Sequence, residues 1–293
     1  MKYKVLILGS SGLIGHQIYF YLKNNSDFLL SSISHTYKLT DDTILHDARD
    51  QEGLEIKIKN INPDYIVNCI GTLIENSNAD PKTAIILNAY LPHKLANIAS
   101  KFGAKLIHMS TDCVFSGDKG EPYIESDFKD GRDIYAKTKG LGEIITSDHL
   151  TIRTSVVGPE LKYHDGELFN WFMRQTTDIS GFTQAIWSGV TSIELAKAVK
   201  WSIDNGITGL YHVTNNSSIS KYELLKLFQK YTNKNIYIES INGKNVDKSF
   251  IDTRLLINYK IPSYDQMILD MVSLIHNNLP LYPHYQTLDS DED

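Results

Sequence analysis

Three side chains of this sequence have the chemistry of a proton-donating site: the hydroxyl of Thr111, the phenol of Tyr135 and the ammonium of Lys139. Thr111 follows an apolar, strand-like run at 104–109 that ends in Ser-Thr-Asp. Tyr135 and Lys139 are spaced i, i+4, which places both side chains on one face of a helix. Ligands bind at the carboxyl ends of strands in open α/β sheets. If the intervening loop folds back, the three groups meet at such a strand end.

The Tyr-x-x-x-Lys spacing is weak evidence by itself, because the sequence contains it four times. Only Tyr135 and Lys139 follow a strand that ends in Ser-Thr-Asp, where Thr111 supplies a third polar group. The other three pairs are expected to be exposed pairs on helices that contribute little to stability: Tyr19 and Lys23, Tyr90 and Lys94, and Tyr222 and Lys226.

A glycine-rich turn near the N-terminus predicts a dinucleotide-binding βα unit. Residues 4–8 are a short apolar run, directly followed by Gly-Ser-Ser-Gly-Leu-Ile-Gly and a helical pattern. Gly9 permits a tight turn, Gly12 lets backbone amides approach a pyrophosphate, and Gly15 lets the helix pack closely on its strand. We therefore expect cofactor contacts at these turn residues: Gly9, Ser11, Gly12, Leu13, Ile14 and Gly15.

The end of the next predicted strand, 28–34, favours NADPH as the cofactor. An acidic residue at this point would bind the ribose hydroxyls of NAD and repel a 2′-phosphate. The sequence has no carboxylate before Asp41, and it places His35 and Lys38 there instead. These two residues are candidate ligands of the 2′-phosphate. They are also compatible with a solvated loop, so NADH stays an alternative.

The alternation of apolar runs and helical segments predicts an α/β fold, a Rossmann-type doubly wound parallel sheet. Beyond Gly158-Pro159 the pattern changes, which predicts a smaller C-terminal α/β substrate-binding lobe. The expected divisions are a dinucleotide-binding domain at 1–155 and about 188–213, a substrate-binding lobe at about 156–187 and 214–280, and an acidic tail at 281–293.

The composition argues against several classes of function. The net charge is −6 without a long basic run, so general nucleic-acid binding is not expected. The two cysteines, Cys69 and Cys113, and the ten histidines lack metal-type spacing, and we expect no metal site. No apolar run approaches the ~20 residues of a membrane helix. We expect a cytoplasmic protein without disulfides and without membrane contact.

The motifs as a set resemble the extended short-chain dehydrogenase/reductase superfamily, and most closely the dTDP-4-dehydrorhamnose reductase family of nucleotide-sugar reductases. The resemblance covers nearly the whole chain, to about residue 275, and the order of the motifs is specific. It is carried by GSSGLIG near the N-terminus, STDCVFSG, YAKTKGLGE, TIRTSVVG at 151–158, WSGVTSIELAKAV at 187–199, GLYHVTNNSSISKYELLKLF at 209–228 and KSFIDTRLL at 248–256.

This resemblance implies NADPH-dependent reduction of the 4-keto group of a deoxy sugar carried on dTDP or UDP, for surface polysaccharide synthesis. Tyr135 would protonate the carbonyl oxygen while the cofactor supplies hydride. Lys139 would hold the nicotinamide ribose and lower the pKa of Tyr135 by about one to three units. Thr111 would orient the carbonyl oxygen.

The resemblance also implies roles for other matched positions. Asp47 would contact adenine, and Asn88 would support the site from a helix beneath it. The remaining positions are expected to line the cofactor, at Cys69, Ile70 and Gly71, or to contact the substrate together with Thr111 and Tyr135, at Cys113, Trp187 and Thr191.

Two departures from the family pattern leave the substrate open. Cys113 stands where the best-known members have an aromatic residue, and the segment 157–164 differs from their aromatic loop. Asp112 is followed by Cys113 and not by the glutamate of nucleotide-sugar dehydratases, which argues against dehydration. Two alternatives remain: a nucleotide-sugar epimerase that retains NAD, and a non-catalytic NADP-binding regulatory subunit. The expected partner is a nucleotide-sugar substrate, and a homodimer stays open.

Overall fold

The computed structural model describes residues 2–162, 166–254 and 258–285. Within these ranges the strands are β1 (Tyr3–Leu8), β2 (Phe28–Ser34), β3 (Ile44–Leu45), β4 (Tyr65–Asn68), β5 (Lys105–Thr111), β6 (Leu150–Thr154), β7 (Val156–Val157), β8 (Ile179–Phe182), β9 (Ala185–Trp187), β10 (Val190–Thr191), β11 (Gly209–His212), β12 (Ile219–Ser220), β13 (Ile238–Ile241) and β14 (Val246–Asp247).

The α-helices of the same ranges are α1 (Leu13–Lys23), α2 (Gln51–Ile61), α3 (Ile74–Ala79), α4 (Pro81–Ala84), α5 (Leu91–Phe102), α6 (Ile134–Leu141), α7 (Leu168–Arg174), α8 (Ser192–Asp204), α9 (Lys221–Thr232) and α10 (Tyr264–His276). A π-helical segment, Ile85–Tyr90, joins α4 to α5, and a 3₁₀ turn, Asp112–Val114, follows β5. No helix in the described ranges combines the length and the apolar character needed to cross a bilayer.

The central sheet has seven strands in the order β11-β6-β5-β4-β1-β2-β3, and every neighbouring pair is parallel. Its strands are covered on both faces, so successive residues of β1 enter different cores. Ile7 packs in the cluster that holds Ile18 of α1, whereas Leu6 packs with Leu54 of α2 and Leu95 of α5. This burial explains the continuous apolar runs of the sequence. The predicted doubly wound parallel fold is confirmed.

The smaller lobe is built from short strand pairs and three helices. Its sheets have the orders β12-β9-β14 and β13-β8, and α9 packs against β8 and α10. The strand β11 pairs with β6 at the edge of the main sheet. The individual domain boundaries stay a prediction.

The end of the described chain packs against the two lobes. Tyr282 and Tyr285 are both 1% exposed. The Tyr282 hydroxyl lies 2.9 Å from Nε2 of His16 in α1, and the Tyr285 hydroxyl donates to Oδ1 of Asn170 in α7 at 2.9 Å. The expected acidic tail, 281–293, therefore does not begin at 281, because aromatic residues there fill a core position. Residues 286–293 of that tail, and 163 and 164 of the segment 157–164, lie outside the described residues.

Candidate active site

The glycine turn between β1 and α1 contains glycines of two kinds. Gly9 has a φ of +76°, and a Cβ on Gly15 would lie 2.2 Å from the Gly9 carbonyl oxygen, so the protein's own backbone requires both. Gly12 has a φ of −83°, and a Cβ there would meet the same oxygen at an ordinary 3.5 Å. The surrounding residues therefore leave open space beside Gly12, and a methyl group at this position would project into that space.

The N-terminus of α1 is suited to an anion. Gly12 is its N-cap and offers no side-chain acceptor to the first amides, and the first turn contains no acidic residue. Unpaired amides and the positive end of the helix dipole attract phosphate. The open space beside Gly12 adjoins these amides, so the turn fits the pyrophosphate of a dinucleotide. The structure brings the predicted cofactor residues together here: Gly9, Ser11, Gly12, Leu13, Ile14 and Gly15.

The end of β2 places His35 beside Asp47, with 3.6 Å between Nε2 and Oδ2. Asp47 is also bound by Arg49 at 2.6 Å, and hydrogen bonds from Arg49 lower the pKa of Asp47 to about 2. Lys38 is exposed and donates to the carbonyl oxygen of Asp41 at 3.0 Å. The sequence analysis missed Arg49, whose charge offsets that of Asp47 next to His35. The only signal for it was a basic residue two positions after Asp47.

Tyr37, which the sequence analysis did not single out, connects this loop to the glycine turn. Its phenol donates to the carbonyl oxygen of Ser11 at 2.7 Å, and burial raises its pKa. The ammonium of Lys162 lies 4.2 Å from the centre of its ring. The turn is therefore contacted from the β2 loop and from the segment that leads into the smaller lobe.

The segment after β4 brings Gly71 next to α6. A Cβ on Gly71 would lie 3.1 Å from Oδ1 of Asn88 and 4.0 Å from Nζ of Lys139. Asn88 accepts from the Thr72 amide at 2.8 Å and donates to the Thr138 hydroxyl at 3.3 Å. It lies in the π-helical segment, a form of helix that often occurs at functional sites. Asn88 thus ties the chain after β4 to α6. Cys69 and Ile70, the other predicted lining residues, immediately precede Gly71.

Thr111 and Tyr135 meet at the carboxyl end of β5. Thr111 caps the 3₁₀ turn: its hydroxyl accepts from the Cys113 amide at 3.1 Å and donates to Oδ1 of Asp112 at 3.1 Å. Asp133 caps α6 by accepting from the Ala136 amide at 2.7 Å, which fixes where the helix begins. The Tyr135 side chain has Thr111 as a hydrogen-bond partner. The loop between Thr111 and Tyr135 therefore folds back, as the sequence predicted.

Lys139 lies one turn beyond Tyr135 and is 5% exposed. Its ammonium donates to the carbonyl oxygen of Met109 in β5 at 2.5 Å. Burial lowers the pKa of Lys139 to about 8, while Glu143 and Cys69 act in the opposite direction.

The pKa of Tyr135 is not lowered as expected. It is raised, chiefly by burial and further by the neighbouring Cys113, and among the leading causes only the hydrogen bond with Thr111 opposes the rise. Burial penalises the phenolate, and the Lys139 ammonium is engaged by the Met109 carbonyl. The phenol is therefore protonated throughout the neutral pH range.

An ionic network centred on the buried side chains of Glu143 and Arg153 lies behind α6. Glu143 accepts from Arg153 at 2.9 and 2.8 Å and from Ser110 at 2.7 Å, and Lys129 lies 3.1 Å from it. Nη1 of Arg153 lies 2.8 Å from Nε2 of His212. The sequence analysis quoted Glu143 and Arg153 within motifs without assigning them a role. The network holds the last turn of α6 against β5 and β6.

A model of the RmlD substrate binding domain family matches residues 3–248. The chain belongs to this family. The spore coat polysaccharide biosynthesis protein SpsK of Bacillus subtilis (strain 168) is 29% identical over 229 residues, which cover 75% of this chain and 76% of SpsK. The dTDP-4-dehydrorhamnose reductase of Escherichia coli (strain K12) is 24% identical over 234 residues, 76% of each chain.

A solved structure similar to this one is that of dTDP-4-dehydrorhamnose reductase from Bacillus anthracis str. Ames in complex with NADP. The TM-score is 0.81 at 23% identity, and the match covers 94% of this chain and 99% of that one. This likeness supports the fold. The family resemblance expected from the motifs is confirmed by the match to the RmlD family.

The other residues that were expected to contact the substrate lie in different surroundings. Cys113 is partly exposed and lies beside Thr111 and Tyr135. Thr191 is 1% exposed and caps α8 by accepting from the Glu194 amide at 3.4 Å, which is a structural role. Trp187 is 3% exposed, and its ring packs 5.7 Å from that of Tyr264. The structure thus brings Cys113 to the site, whereas Thr191 and Trp187 are buried side chains whose contacts lie elsewhere.

The sequence analysis did not single out two lysines whose charges act on Cys113. Lys221 lies over the Trp187 ring, 5.3 Å from its centre, and its charge acts on Cys113. Lys248 also acts on Cys113, and its side chain packs beside Gly117. Both residues lie in motifs that carried the resemblance, SISKYELL and KSFIDTRLL, but nothing in their spacing pointed to a ligand.

Proposed function

We propose that this protein reduces the 4-keto group of a nucleotide-activated deoxy sugar with NADPH. The observation that carries the proposal is the meeting of the Thr111 hydroxyl, the Tyr135 phenol and the α6 turn of Lys139 at the end of β5. Relatives named as dTDP-4-dehydrorhamnose reductase and as a spore coat polysaccharide biosynthesis protein support this reaction and its use in surface polysaccharide synthesis.

The proton chemistry follows from the state of Tyr135. Because burial raises its pKa, the phenol holds its proton until a stronger base forms beside it. Such a base is the carbonyl oxygen of the substrate as it gains negative charge. The Thr111 hydroxyl, which already bonds the phenol, is placed to orient that oxygen, so a proton passes from Tyr135 to the sugar.

The fit of NADPH rests on the glycine turn, the β2 loop and Lys139. When bound, the cofactor supplies the hydride. We propose that the amides at Gly12 hold its pyrophosphate, and that Lys139 holds the ribose next to the nicotinamide. His35, Lys38 and Arg49 would surround a 2′-phosphate, with the charge of Asp47 balanced by Arg49. NADH, which lacks that phosphate, would bind more weakly.

We further propose that residues 1–155 and about 188–213 form the cofactor domain, and that about 156–187 and 214–280 form the substrate lobe. A cytoplasmic location agrees with two free cysteines, since that compartment is reducing. A homodimer is part of this proposal.

The test is an assay of NADPH oxidation with dTDP- and UDP-linked 4-keto-6-deoxy sugars. We expect turnover by the wild-type protein and a loss of about 10²–10⁴-fold in kcat for Tyr135→Phe, with NADPH affinity retained. Tyr90→Phe is the matched control, because Tyr90 also precedes a lysine by four residues but is 54% exposed. Full activity of Tyr135→Phe would refute the proposed mechanism. Tightly bound oxidised NAD without net NADPH consumption would point to the epimerase alternative.

A further inference from the structure

The last described residues of the chain reach the glycine turn through two buried side chains. Tyr282, which follows α10, is 1% exposed, and His16 of α1 is completely buried. The Tyr282 hydroxyl lies 2.9 Å from Nε2 of His16, and Nδ1 of His16 lies 2.8 Å from the carbonyl oxygen of Gly12. Gly12 is the N-cap of α1, so continuous hydrogen bonds join the C-terminal segment to the start of the helix that would bind the cofactor.

The direction of each of these hydrogen bonds follows from the groups that form it. A carbonyl oxygen can only accept, so Nδ1 of His16 carries the proton and donates to Gly12. Burial lowers the pKa of His16 to about 4, so the ring is neutral at neutral pH and its Nε2 is an acceptor. The Tyr282 hydroxyl therefore donates to Nε2, and it accepts in turn from the side-chain amide of Gln17. Only one tautomer of His16 fits these contacts, and both of its ring nitrogens are satisfied.

The hydrogen bond to Gly12 acts on an amide that a cofactor phosphate would contact. The peptide between Gly12 and Leu13 is planar and trans, so its carbonyl and its N–H point in opposite directions. The His16 ring holds the carbonyl toward the body of α1, which directs the Leu13 N–H outward from the first turn. That amide is one of those that have no acceptor within a helix and that attract phosphate. A donor on the carbonyl also polarises the peptide and strengthens its N–H as a hydrogen-bond donor.

We propose that Tyr282 is a positioning residue for the dinucleotide cofactor, and that it acts through His16 on the Gly12–Leu13 peptide at the pyrophosphate site. The inference rests on the cofactor site of the proposed function and adds to it a residue from the other end of the chain. Tyr282 lies beyond residues 3–248, the part that the RmlD family model matches. The hydroxyl is the functional group, because a phenyl ring would fill the same space without donating to His16.

Tyr285 in the same segment provides a matched control. It is also 1% exposed, and its hydroxyl donates to Oδ1 of Asn170 in α7 at 2.9 Å and accepts from the Glu160 amide at 3.2 Å. Tyr282→Phe and Tyr285→Phe thus each remove one buried hydroxyl, but only the hydroxyl of Tyr282 is bonded to α1. Both variants should lower the unfolding temperature alike. A difference between them in cofactor affinity therefore does not arise from stability.

The experiment measures the dissociation constant of NADPH by fluorescence titration for the wild type and the variants. We expect Tyr282→Phe to weaken NADPH binding about five- to tenfold, a partial loss because the Gln17 amide also lies 3.1 Å from Nε2 of His16. His16→Leu should weaken it at least as much. Tyr282→Phe should add nothing to His16→Leu, since both substitutions act on one hydrogen bond. His16→Asn, whose amide can still donate to Gly12, should retain most of the affinity.

A second ligand separates the pyrophosphate site from the rest of the cofactor site. Adenosine 2′-monophosphate lacks the pyrophosphate, so its affinity should be the same in the wild type and in Tyr282→Phe. Unchanged NADPH affinity in Tyr282→Phe would overturn the inference. An equal loss for both ligands, or an equal loss of NADPH affinity in Tyr285→Phe, would overturn it too. A wild type that binds NADPH with the help of Tyr282 but reduces no keto sugar would refute the proposed function alone.

Discussion

Two lysines near the site formed by Thr111 and Tyr135 are treated differently by the protein. Lys139, on α6, is buried, donates to the Met109 carbonyl and has the charge of Glu143 one turn away. Lys221, on α9, is partly exposed, and the charge of Asp112 favours its ammonium without an ion pair between them. Desolvation lowers the pKa of both lysines. Lys139 is therefore fixed in place by its hydrogen bond, whereas Lys221 has no such bond within the described residues.

The regions behind and in front of α6 also differ in how their charged side chains are paired. Behind α6, the carboxylate of Glu143 is bound by Arg153, Lys129 and Ser110, and every charge has a partner at contact distance. In front of α6, the charge of Lys221 acts on Asp112 and Cys113 without an ion pair in the described part of the chain. The network of Glu143 positions the chain through contacts, whereas Lys221 is held by no ion pair.

The largest effect is expected at Lys139. Lys139→Met should lower kcat by about 10²–10⁴-fold, because the support of the proton donor is lost, and should change the KM for the nucleotide sugar far less. Lys137→Met, an exposed substitution on the same helix, is the control. An unchanged kcat in Lys139→Met would show that the fixed lysine does not support Tyr135, and would break the comparison.

The closed network should dominate stability. Arg153→Met leaves the buried Glu143 carboxylate short of its principal partner and should lower the free energy of unfolding by about 3–5 kcal/mol. Denaturant unfolding measures it. The control is Arg132→Met, which removes a surface pair with Asp118 at 2.6 Å and should cost about 0–1 kcal/mol. A similar small cost for Arg153 would show that the network does not hold α6.

Two glycines of the turn between β1 and α1 test whether a residue is needed for packing or for ligand binding, and the expected effects are smaller. Gly15→Ala should lower stability by about 1–3 kcal/mol, since its Cβ would collide with the Gly9 carbonyl. Gly12→Ala should leave the unfolding temperature nearly unchanged but weaken NADPH binding by about tenfold, through lost amide–phosphate hydrogen bonds. Undiminished NADPH affinity in Gly12→Ala would place the pyrophosphate elsewhere.

A further effect concerns pH. Burial and the adjacent Arg153 lower the pKa of His212 to about 4, against about 6.5 for an unfolded histidine. Between these values the unfolded chain binds the proton and the folded one does not, so stability falls as pH drops from about 6.5 to 4. The slope from this histidine is at most about 1.4 kcal/mol per pH unit. His212→Asn should flatten the measured profile, and an unchanged slope would contradict the assignment.

Much of the architecture was predictable because its signals are local. Continuous apolar runs indicated strands buried on both faces, and the glycine turn after the first run indicated a βα unit. The meeting of Thr111 with Tyr135 followed from two rules, the carboxyl-end position of ligand sites and the i, i+4 spacing of helix neighbours.

The features that the sequence analysis missed depend on contacts between distant segments. Arg153 and His212 are 59 residues apart, and Tyr282 reaches His16 across 266 residues. In the sequence, Lys221 is only a residue at the start of a predicted helix. Its position over the Trp187 ring depends on the tertiary fold. The raised pKa of Tyr135 has the same origin, because burial is a property of the folded chain and not of the Tyr-x-x-x-Lys spacing.

The most direct test of the central claim follows the transferred hydrogen. The protein is incubated with a dTDP-linked 4-keto-6-deoxy sugar and NADPH that carries deuterium at its transferable position, and the product is analysed by mass spectrometry and NMR. The account predicts one deuterium bound to C4 and oxidised cofactor in equal amount. Unchanged NADPH, or a sugar altered without deuterium, would contradict it.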